Sequence, residues 1–369
     1  LWHIARRLAG LALGPTLALA AAYSLYPALS NVDLFDFHPE ALVVPALLGA
    51  AYFGLRGGRW APYAACVAAG LACREDMAVP VLFLGLLLML EGRRRAGALT
   101  SLAAVAWLAL DLKVVLPHFA SGDYVQANRF AQYGSTLGDA ARFMVAHPLT
   151  VAGDFATKPN LYVLVALFLP VLFLPLLAPR YLLPGLPLQL AYLLTNVPAA
   201  HTVTAQYTVS TIPFVLLATA FALKRLSGRP WHRPMVVFAV VGFLVFAVAS
   251  PRHEPWRWLS RDRVDQARLA AARMVPRRAA VAATVRMWPL LAERPDLYSF
   301  PMPLEGWAPQ SPDPVPVDRR VEGLRWVVLD TADGRQWTAV EAAARGRVLA
   351  APAWRVVFDR AGIVVYHRP

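Results

Sequence analysis

Charged residues are scarce in this sequence. Asp, Glu, Lys and Arg make up 16% of the 369 residues, whereas hydrophobic residues make up 58%. A soluble globular protein carries about 25% charged residues, so this chain has too few polar side chains to cover a water-facing surface. The high apolar content also excludes a disordered chain. The composition therefore predicts an integral membrane protein.

Cysteine is nearly absent as well, which excludes a disulfide-stapled scaffold. The two cysteines, Cys66 and Cys73, are seven residues apart on one apolar stretch. On a helix this spacing separates them by roughly 10 Å, which is too far for a disulfide bond. The chain begins at Leu1 without a signal-peptide pattern, and we expect it to be a fragment that lacks its natural N-terminus.

The sequence contains none of the GxxxxGK[ST], HExxH, CxxC or GxSxG motifs. Nucleotide hydrolysis, zinc-protease chemistry and serine-hydrolase chemistry therefore have no motif to support them. The net charge of +13 is not gathered into a basic groove with interleaved aromatic residues, because the basic residues are scattered between apolar runs. The pattern predicts no nucleic-acid partner.

Long apolar runs dominate residues 1–250. A spanning helix needs about 20 apolar residues, with some tolerance for tilt. On that criterion we predict an α-helical polytopic membrane protein with about nine spans, at Leu8–Leu29, Ala41–Leu55, Ala61–Cys73, Met77–Leu90, Ala98–Leu116, Leu161–Ala178, Tyr181–Ala199, Val209–Leu223 and Met235–Ser250.

Basic residues are distributed unevenly between the two faces that these spans define. Twelve Lys or Arg fall on one side, in the loops at Arg6–Arg7, Arg56–Arg59, Arg93–Arg95, Arg180 and Lys224–Arg233, against five on the other. Basic loops are retained in the cytoplasm. The predicted location is the inner or plasma membrane, with the region after residue 250 outside the cell.

Residues 251–369 have a different composition and contain no run long enough to span. They carry 19 Lys or Arg and 13 Asp or Glu. A helical face over Ser260–Val275, a second short helix at Pro289–Arg294 and several apolar strand candidates predict a small α/β domain. We predict strands at Ala279–Thr284, Leu297–Phe300, Leu324–Leu329, Trp354–Phe358 and Ile363–Tyr366, a helix at Trp337–Ala344 and an extended loop at Pro301–Pro316.

Two short segments concentrate ionisable groups at the predicted outer face. Asp33, Asp36, His38 and Glu40 lie within eight residues, and Cys73-Arg74-Glu75-Asp76 interrupts a long apolar stretch. In one interpretation these residues only cap or terminate helices. In the other, Asp36, His38 and Glu40 bind a divalent cation or supply a general base, and Arg74 binds a phosphate group.

The longer outer loops contribute further candidates. Residues 117–159 include Lys158, and residues 200–207 include His201 and Tyr207. A loop that packs on the helices, with His201 in a structural role, is the alternative to substrate binding there.

Several of these motifs occur together in one known family. Phe35-Asp36-Phe37-His38-Pro39-Glu40 after Tyr26-Pro27-Ala28-Leu29, followed by Arg74-Glu75-Asp76 and by Gln206-Tyr207 within His201–Pro213, resembles a family of bacterial and archaeal polytopic membrane proteins of unknown function. That family is similar to the GT-C superfamily of membrane glycosyltransferases, which use polyprenyl-phosphate sugars. Gln206 stands where the family often has His.

The resemblance implies a glycosyltransferase-like function at the extracytoplasmic face, with a lipid-linked sugar as donor. Asp36, His38, Glu75 and Asp76 are then the expected catalytic residues, and the expected substrate-binding residues are Arg74, Lys158, His201 and Tyr207. A divalent cation, Mg²⁺ or Mn²⁺, held by Asp36, His38 and Glu40, is the predicted cofactor. The alternatives are a non-catalytic membrane scaffold or sensor, and a transporter, which would need polar groups at the middle of the membrane.

Overall fold

The structure, a computed structural model, describes residues 1–35, 39–119, 125–248, 260–301, 304, 323–332, 342–343, 345–346, 349–350 and 353–369. The chain divides into two compact units, Leu1–Glu254 and Pro255–Pro369.

The described part of the first unit is helical. Its helices are α1 (Leu13–Ser24), α2 (Pro27–Phe35), α3 (Val43–Arg56), α4 (Trp60–Leu71), α5 (Ala78–Leu90), α6 (Arg94–Leu110), α7 (Leu116–Phe119), α8 (Leu137–Ala146), α9 (Pro148–Phe155), α10 (Lys158–Phe168), α11 (Leu186–Tyr192), α12 (Ile212–Arg225) and α13 (His232–Phe243). Helix α12 lies at the centre of the core, because eleven of its fourteen residues are buried.

The prediction of nine membrane spans is wrong. Among the described residues, one helix, Arg94–His118, is long and apolar enough to cross a membrane, and the apolar helices Trp60–Leu71, Lys158–Val171 and His232–Val248 are shorter than a span. The long helix joins α6 and α7 through a π-helical turn at Asp111–Val115. Little of its apolar window, 11%, is buried within the protein.

The other apolar runs break into short pieces, for reasons visible in the backbone. In the predicted span Leu161–Ala178 the α-helix ends at Phe168 and a 3-10 turn continues to Val171. Two residues with positive φ, Leu172 and Phe173, follow, and a second 3-10 turn begins after them. Proline at positions 170 and 175 removes amide donors from any continuous helix through this region. In the predicted span Tyr181–Ala199, α-helix is limited to the seven residues of α11, and 3-10 turns lie at both ends. These runs supply a large protein core, so apolarity alone overestimated the number of spans.

The second unit is a five-stranded mixed sheet with helices, as its composition predicted. Its elements are α14 (Arg263–Met274), β1 (Val281–Ala283), α15 (Trp288–Leu291), β2 (Leu297–Ser299), β3 (Trp326–Asp330), β4 (Arg355–Arg360) and β5 (Ile363–His367). The strand order is β2-β1-β3-β5-β4, with β1 parallel to β2 and β3 and with β5 antiparallel to β3 and β4. The predicted helix Trp337–Ala344 and loop Pro301–Pro316 fall mostly outside the described residues.

A buried ion pair joins α14 to the end of β3. The Asp330 side chain is 1% exposed, and its Oδ2 accepts a hydrogen bond from the Nε of Arg268 at 2.7 Å. Its Oδ1 accepts one from the backbone amide of Ala332 at 3.0 Å. This carboxylate therefore ties a helix, a strand and the following turn together.

Asp330→Ala is expected to destabilise the second unit by about 3 kcal/mol, because it leaves a partly buried guanidinium without its innermost partner. Hydrogen exchange of the β3 amides in the full chain would measure the loss of stability, because a less stable unit opens more often and its amides exchange faster. Glu293→Ala is the matched control, since the Glu293–Arg277 pair is exposed on both sides and contributes about 0.5 kcal/mol or less. Similar exchange rates in the two variants would contradict the prediction.

Candidate functional site

The turn between α4 and α5 brings three charged residues to one end of the helices. Helix α4 ends at Leu71, Arg74 adopts an extended backbone, and Glu75–Met77 form a 3-10 turn that leads into α5. The Arg74 side chain reaches Glu40 and Tyr192 on other segments of the chain.

The Arg74 guanidinium contacts its near neighbour Asp76 and groups from two distant parts of the chain. Its Nη1 donates to Oε1 of Glu40 at 2.5 Å, and its Nε and Nη2 donate to the two Asp76 oxygens at 2.7 and 2.6 Å. Nη2 also donates to the Tyr192 hydroxyl, which in turn donates to Asp76 Oδ2. The two-pronged contact with Asp76 is the geometry that makes arginine–carboxylate pairs specific. We call Glu40, Arg74, Asp76, Tyr192, Tyr207 and Arg129 the arginine cluster.

Two tyrosine rings form the wall of the arginine cluster. Tyr192 and Tyr207 pack edge to face with 5.0 Å between ring centroids. The Arg74 guanidinium carbon lies 5.6 Å from the Tyr192 ring and 6.0 Å from the Tyr207 ring. Arg129 approaches Tyr207 as well, at 5.7 Å. Both cations therefore make cation–π contacts with this wall.

The cluster is largely shielded from solvent and nearly neutral. The side chains of Arg74, Glu40 and Asp76 are 16%, 6% and 18% exposed. Burial alone would lower the pKa of the Arg74 guanidinium, but Tyr192, Asp76 and Glu40 outweigh it and raise the pKa above its usual value. Arg74 therefore stays charged, and two carboxylates balance the charges of Arg74 and Arg129.

The structure brings together four of the residues singled out from the sequence: Glu40, Arg74, Asp76 and Tyr207. Asp36 and His38 lie outside the described residues. Glu75 is half-buried in the 3-10 turn, close enough to Asp111 to act on it electrostatically. Lys158 is exposed at the start of α10.

His201 is held by hydrogen bonds on both ring nitrogens. Nδ1 is 2.6 Å from Oδ1 of Asn160, and Nε2 is 2.9 Å from the Thr195 carbonyl oxygen. The amide nitrogen of Asn160 donates to the carbonyl oxygens of Phe155 and Leu193, so its orientation is set by the backbone. This bonding matches the structural interpretation of His201, because neither ring nitrogen is left for a substrate.

Tyr192 and Arg129 are the members of the site that sequence reasoning missed. Tyr192 is 118 residues from Arg74 and falls inside an apolar run that resembled a span. No spacing rule connects the two. Arg129 stands in a polar segment with several other basic residues, and only its contact with Tyr207 distinguishes it.

No group of three or more His, Cys, Asp or Glu close enough to hold a metal ion occurs among the described residues. Two of the three predicted cation ligands, Asp36 and His38, fall outside that range. The third, Glu40, accepts a hydrogen bond from Arg74 on one carboxylate oxygen. The divalent-cation site thus stays a prediction.

Comparison with known proteins addresses the family. No curated protein and no solved structure shows a significant match. One protein family, described as "Predicted membrane protein (DUF2079)", matches residues 1–365. That range includes the arginine cluster and nearly all of the second unit, so the match is not confined to apolar helices. The chain belongs to this family of predicted membrane proteins.

Proposed function

We propose that the protein is a glycosyltransferase-like membrane protein that binds a polyprenyl-phosphate-linked sugar at the arginine cluster. The resemblance of its motifs to the GT-C superfamily suggests the activity. The observation that carries the proposal is the position of Arg129, which lies against Tyr207 beside a carboxylate-rich centre. Such a site combines a cation for a phosphate with carboxylates for an acceptor hydroxyl.

Arg74 acts in this proposal as a positioning residue. Its guanidinium already donates to Glu40, to both Asp76 oxygens and to Tyr192, which uses most of its five N–H donors. A phosphate would have to displace a carboxylate to reach it. Arg74 instead pairs with the Glu40 and Asp76 carboxylates and orients them.

Arg129 is the proposed phosphate ligand. It is half-buried, and within the described ranges no carboxylate lies in ion-pair contact with it. A phosphate binds more favourably to a guanidinium without a carboxylate partner than to one that is already paired, because no existing ion pair has to be broken. Lys158 and Tyr207 remain candidates for contact with the rest of the donor, whereas both ring nitrogens of His201 are already bonded within the protein.

Transfer would follow ordinary glycosyl chemistry. The acceptor hydroxyl attacks the anomeric carbon, its proton passes to a carboxylate, and the bond to the polyprenyl phosphate breaks, so that the lipid phosphate leaves with the electron pair. Asp76 is the carboxylate proposed to accept the proton, with Asp36, His38 and Glu75 as further catalytic candidates. Arg129 would stabilise the departing phosphate.

Arg129→Ala is expected to weaken the binding of a short-chain polyprenyl phosphate about tenfold or more, because a charge-assisted contact contributes roughly 1.5–3 kcal/mol. Titration of the detergent-solubilised full chain by native mass spectrometry would measure the dissociation constant. Arg142→Ala is the control, since Arg142 is 84% exposed and pairs only loosely with Asp139 at 3.5 Å. Equal dissociation constants for the two variants would contradict the proposal.

A non-catalytic membrane scaffold is the second candidate, and the near-neutral charge of the arginine cluster favours it. When the carboxylates of a cluster are already paired with its main cation, the cluster needs no ligand to balance its charge. Its role is then to hold segments of the chain together. Failure of the unmodified protein to bind any polyprenyl phosphate would support the scaffold instead of the enzyme.

A further inference from the structure

A cavity of about 380 Å³ opens between the α3–α4 loop and the α5–α6 loop, and it does not involve the arginine cluster. Its lining combines basic and aromatic side chains with glycine backbone. The residues that matter here are Arg59, Trp60, Tyr63, Arg93, Arg94 and Arg95. None of the described residues that line it is Asp or Glu.

None of the four arginines has an acidic partner in the part of the chain that the structure describes. Arg59, Arg94 and Arg95 are exposed, and no carboxylate there forms an ion pair with any of them. Glu91, the acidic residue nearest to them in sequence, instead pairs with Arg180 at 3.1 Å. The cavity thus has a concentrated positive charge that nothing described in the protein neutralises.

Arg93 differs from the other three because it shapes the cavity. Its Nε and Nη2 donate to the carbonyl oxygens of Leu55 and Arg56, at 3.1 and 2.7 Å, and so cap the end of α3. Gly57 has a φ of +74°, and a Cβ there would lie 2.1 Å from Nη1 of Arg93. The loop can close over Arg93 only because residue 57 is glycine.

Two helices begin at the cavity. Helix α4 starts at Trp60 and α6 at Arg94, and neither has a side-chain hydrogen bond at its N-cap. The free amide groups at helix N-termini carry partial positive charge. They add to the attraction that the arginines exert on an anion.

The position of the cavity along the chain relates it to the bilayer. Helix α6 is the first part of Arg94–His118, the one described helix that is long and apolar enough to span a membrane. The cavity lies at the N-terminal end of this helix, which is headgroup level when the helix spans. Trp60 is 57% exposed and meets Tyr63 edge to face, and such aromatic residues favour the membrane–water interface.

We propose that this cavity binds the phosphate headgroup of an anionic phospholipid. Arg59, Arg94 and Arg95 meet the phosphate. Trp60 and Phe53, which also lines the cavity, contact the glycerol and the first acyl carbons. The arginine side chains supply charge at the depth where lipid phosphates lie, and the aromatic side chains cover the apolar part that a free phosphate lacks. The site would hold the N-terminal end of the long helix at the bilayer surface.

The test compares two double variants of the full chain in a neutral detergent. Arg59→Gln with Arg94→Gln removes two charges from the cavity, and Arg229→Gln with Arg233→Gln removes two exposed charges from another basic loop. Native mass spectrometry with dihexanoyl phosphatidylglycerol gives the dissociation constant, and circular dichroism confirms that helical content is retained. Dihexanoyl phosphatidylcholine and inorganic phosphate are titrated in parallel.

We expect the cavity variant to bind phosphatidylglycerol roughly thirtyfold more weakly than the unmodified protein, and the control variant to change by less than about twofold. Phosphatidylcholine should bind weakly to all three proteins. Equal losses in the two variants would overturn the proposal, since binding would then follow net charge. Inorganic phosphate that binds as tightly as phosphatidylglycerol would overturn the lipid assignment. An Arg94→Lys variant, which keeps the charge, should retain most of the affinity.

Discussion

Arg74→Ala is expected to destabilise the first unit by about 3–5 kcal/mol, because it breaks a shielded network of ion pairs. The substitution leaves Glu40 and Asp76 as two shielded carboxylates without a cation between them. Removing one partner of a buried pair costs far more than the pair itself contributes. Denaturant unfolding in detergent micelles, followed by circular dichroism, would measure the change in unfolding free energy.

Two further variants make the expectation specific. Arg74→Lys keeps the charge but loses the two-pronged contact with Asp76, so an intermediate loss is expected. Arg142→Ala removes an exposed arginine and should change the unfolding free energy by less than about 1 kcal/mol. An Arg74→Ala variant as stable as Arg142→Ala would mean that the cluster does not hold its segments together.

Gly97→Ala is expected to cost about 3 kcal/mol or more, because helices α5 and α6 touch there through their backbones. A Cβ at Gly97 would lie 2.3 Å from the carbonyl oxygen of Gly85 and 2.8 Å from the backbone nitrogen of Met89. Neither atom can move without separating the helices. Ser101 donates a hydrogen bond to the Leu82 carbonyl oxygen at 3.0 Å across the same contact, and that bond would be lost as well.

Gly153→Ala is the matched control for this substitution. Gly153 lies in α9 with an ordinary helical backbone, and no atom is within 4 Å of a Cβ built there. Replacing it should stabilise the helix by about 0.5–1 kcal/mol, since alanine loses less conformational entropy than glycine. The same measurement should therefore give opposite signs at the two positions. A destabilisation by Gly97→Ala below about 1 kcal/mol would contradict the close packing of α5 and α6.

Small residues explain why this helix pair approaches so closely. Gly97 and Ser101 are four residues apart on α6 and face Gly85 on α5. Helices with small residues at such spacing pack by direct backbone contact, both in membranes and in tightly packed cores. The sequence contains the pattern, but only the packed helices show that the two small positions meet.

Local properties of the second unit followed from its sequence. Its strands are short runs in which apolar residues either alternate with polar ones or follow one another. The segment Asp359-Arg360-Ala361-Gly362 is typical of a hairpin turn. Strands β4 and β5 indeed pair antiparallel around that turn. Neighbours along the chain determine such elements, so composition and spacing suffice to predict them.

Composition also determined that the first unit would be helical and apolar, and the family match agrees with a membrane protein. Composition could not distinguish an apolar run that faces lipid from one that packs in a protein core, because both exclude water in the same way. Proline and backbone turns, at positions such as Pro170 and Leu172, divide the apolar runs into short helices. One helix of spanning length remains among the described residues.

The sequence by itself identified Arg74, Asp76 and Glu40 as charged residues placed where apolar runs end. Their mutual contact was decided by the tertiary structure, which brings Glu40 to Arg74 across 34 residues and Tyr192 across 118. The arginines of the α3–α4 and α5–α6 loops, which have no carboxylate partner among the described residues, illustrate the same dependence on tertiary structure. Charge and position could be read from the sequence, but whether an arginine finds a carboxylate depends on which distant segments fold against it.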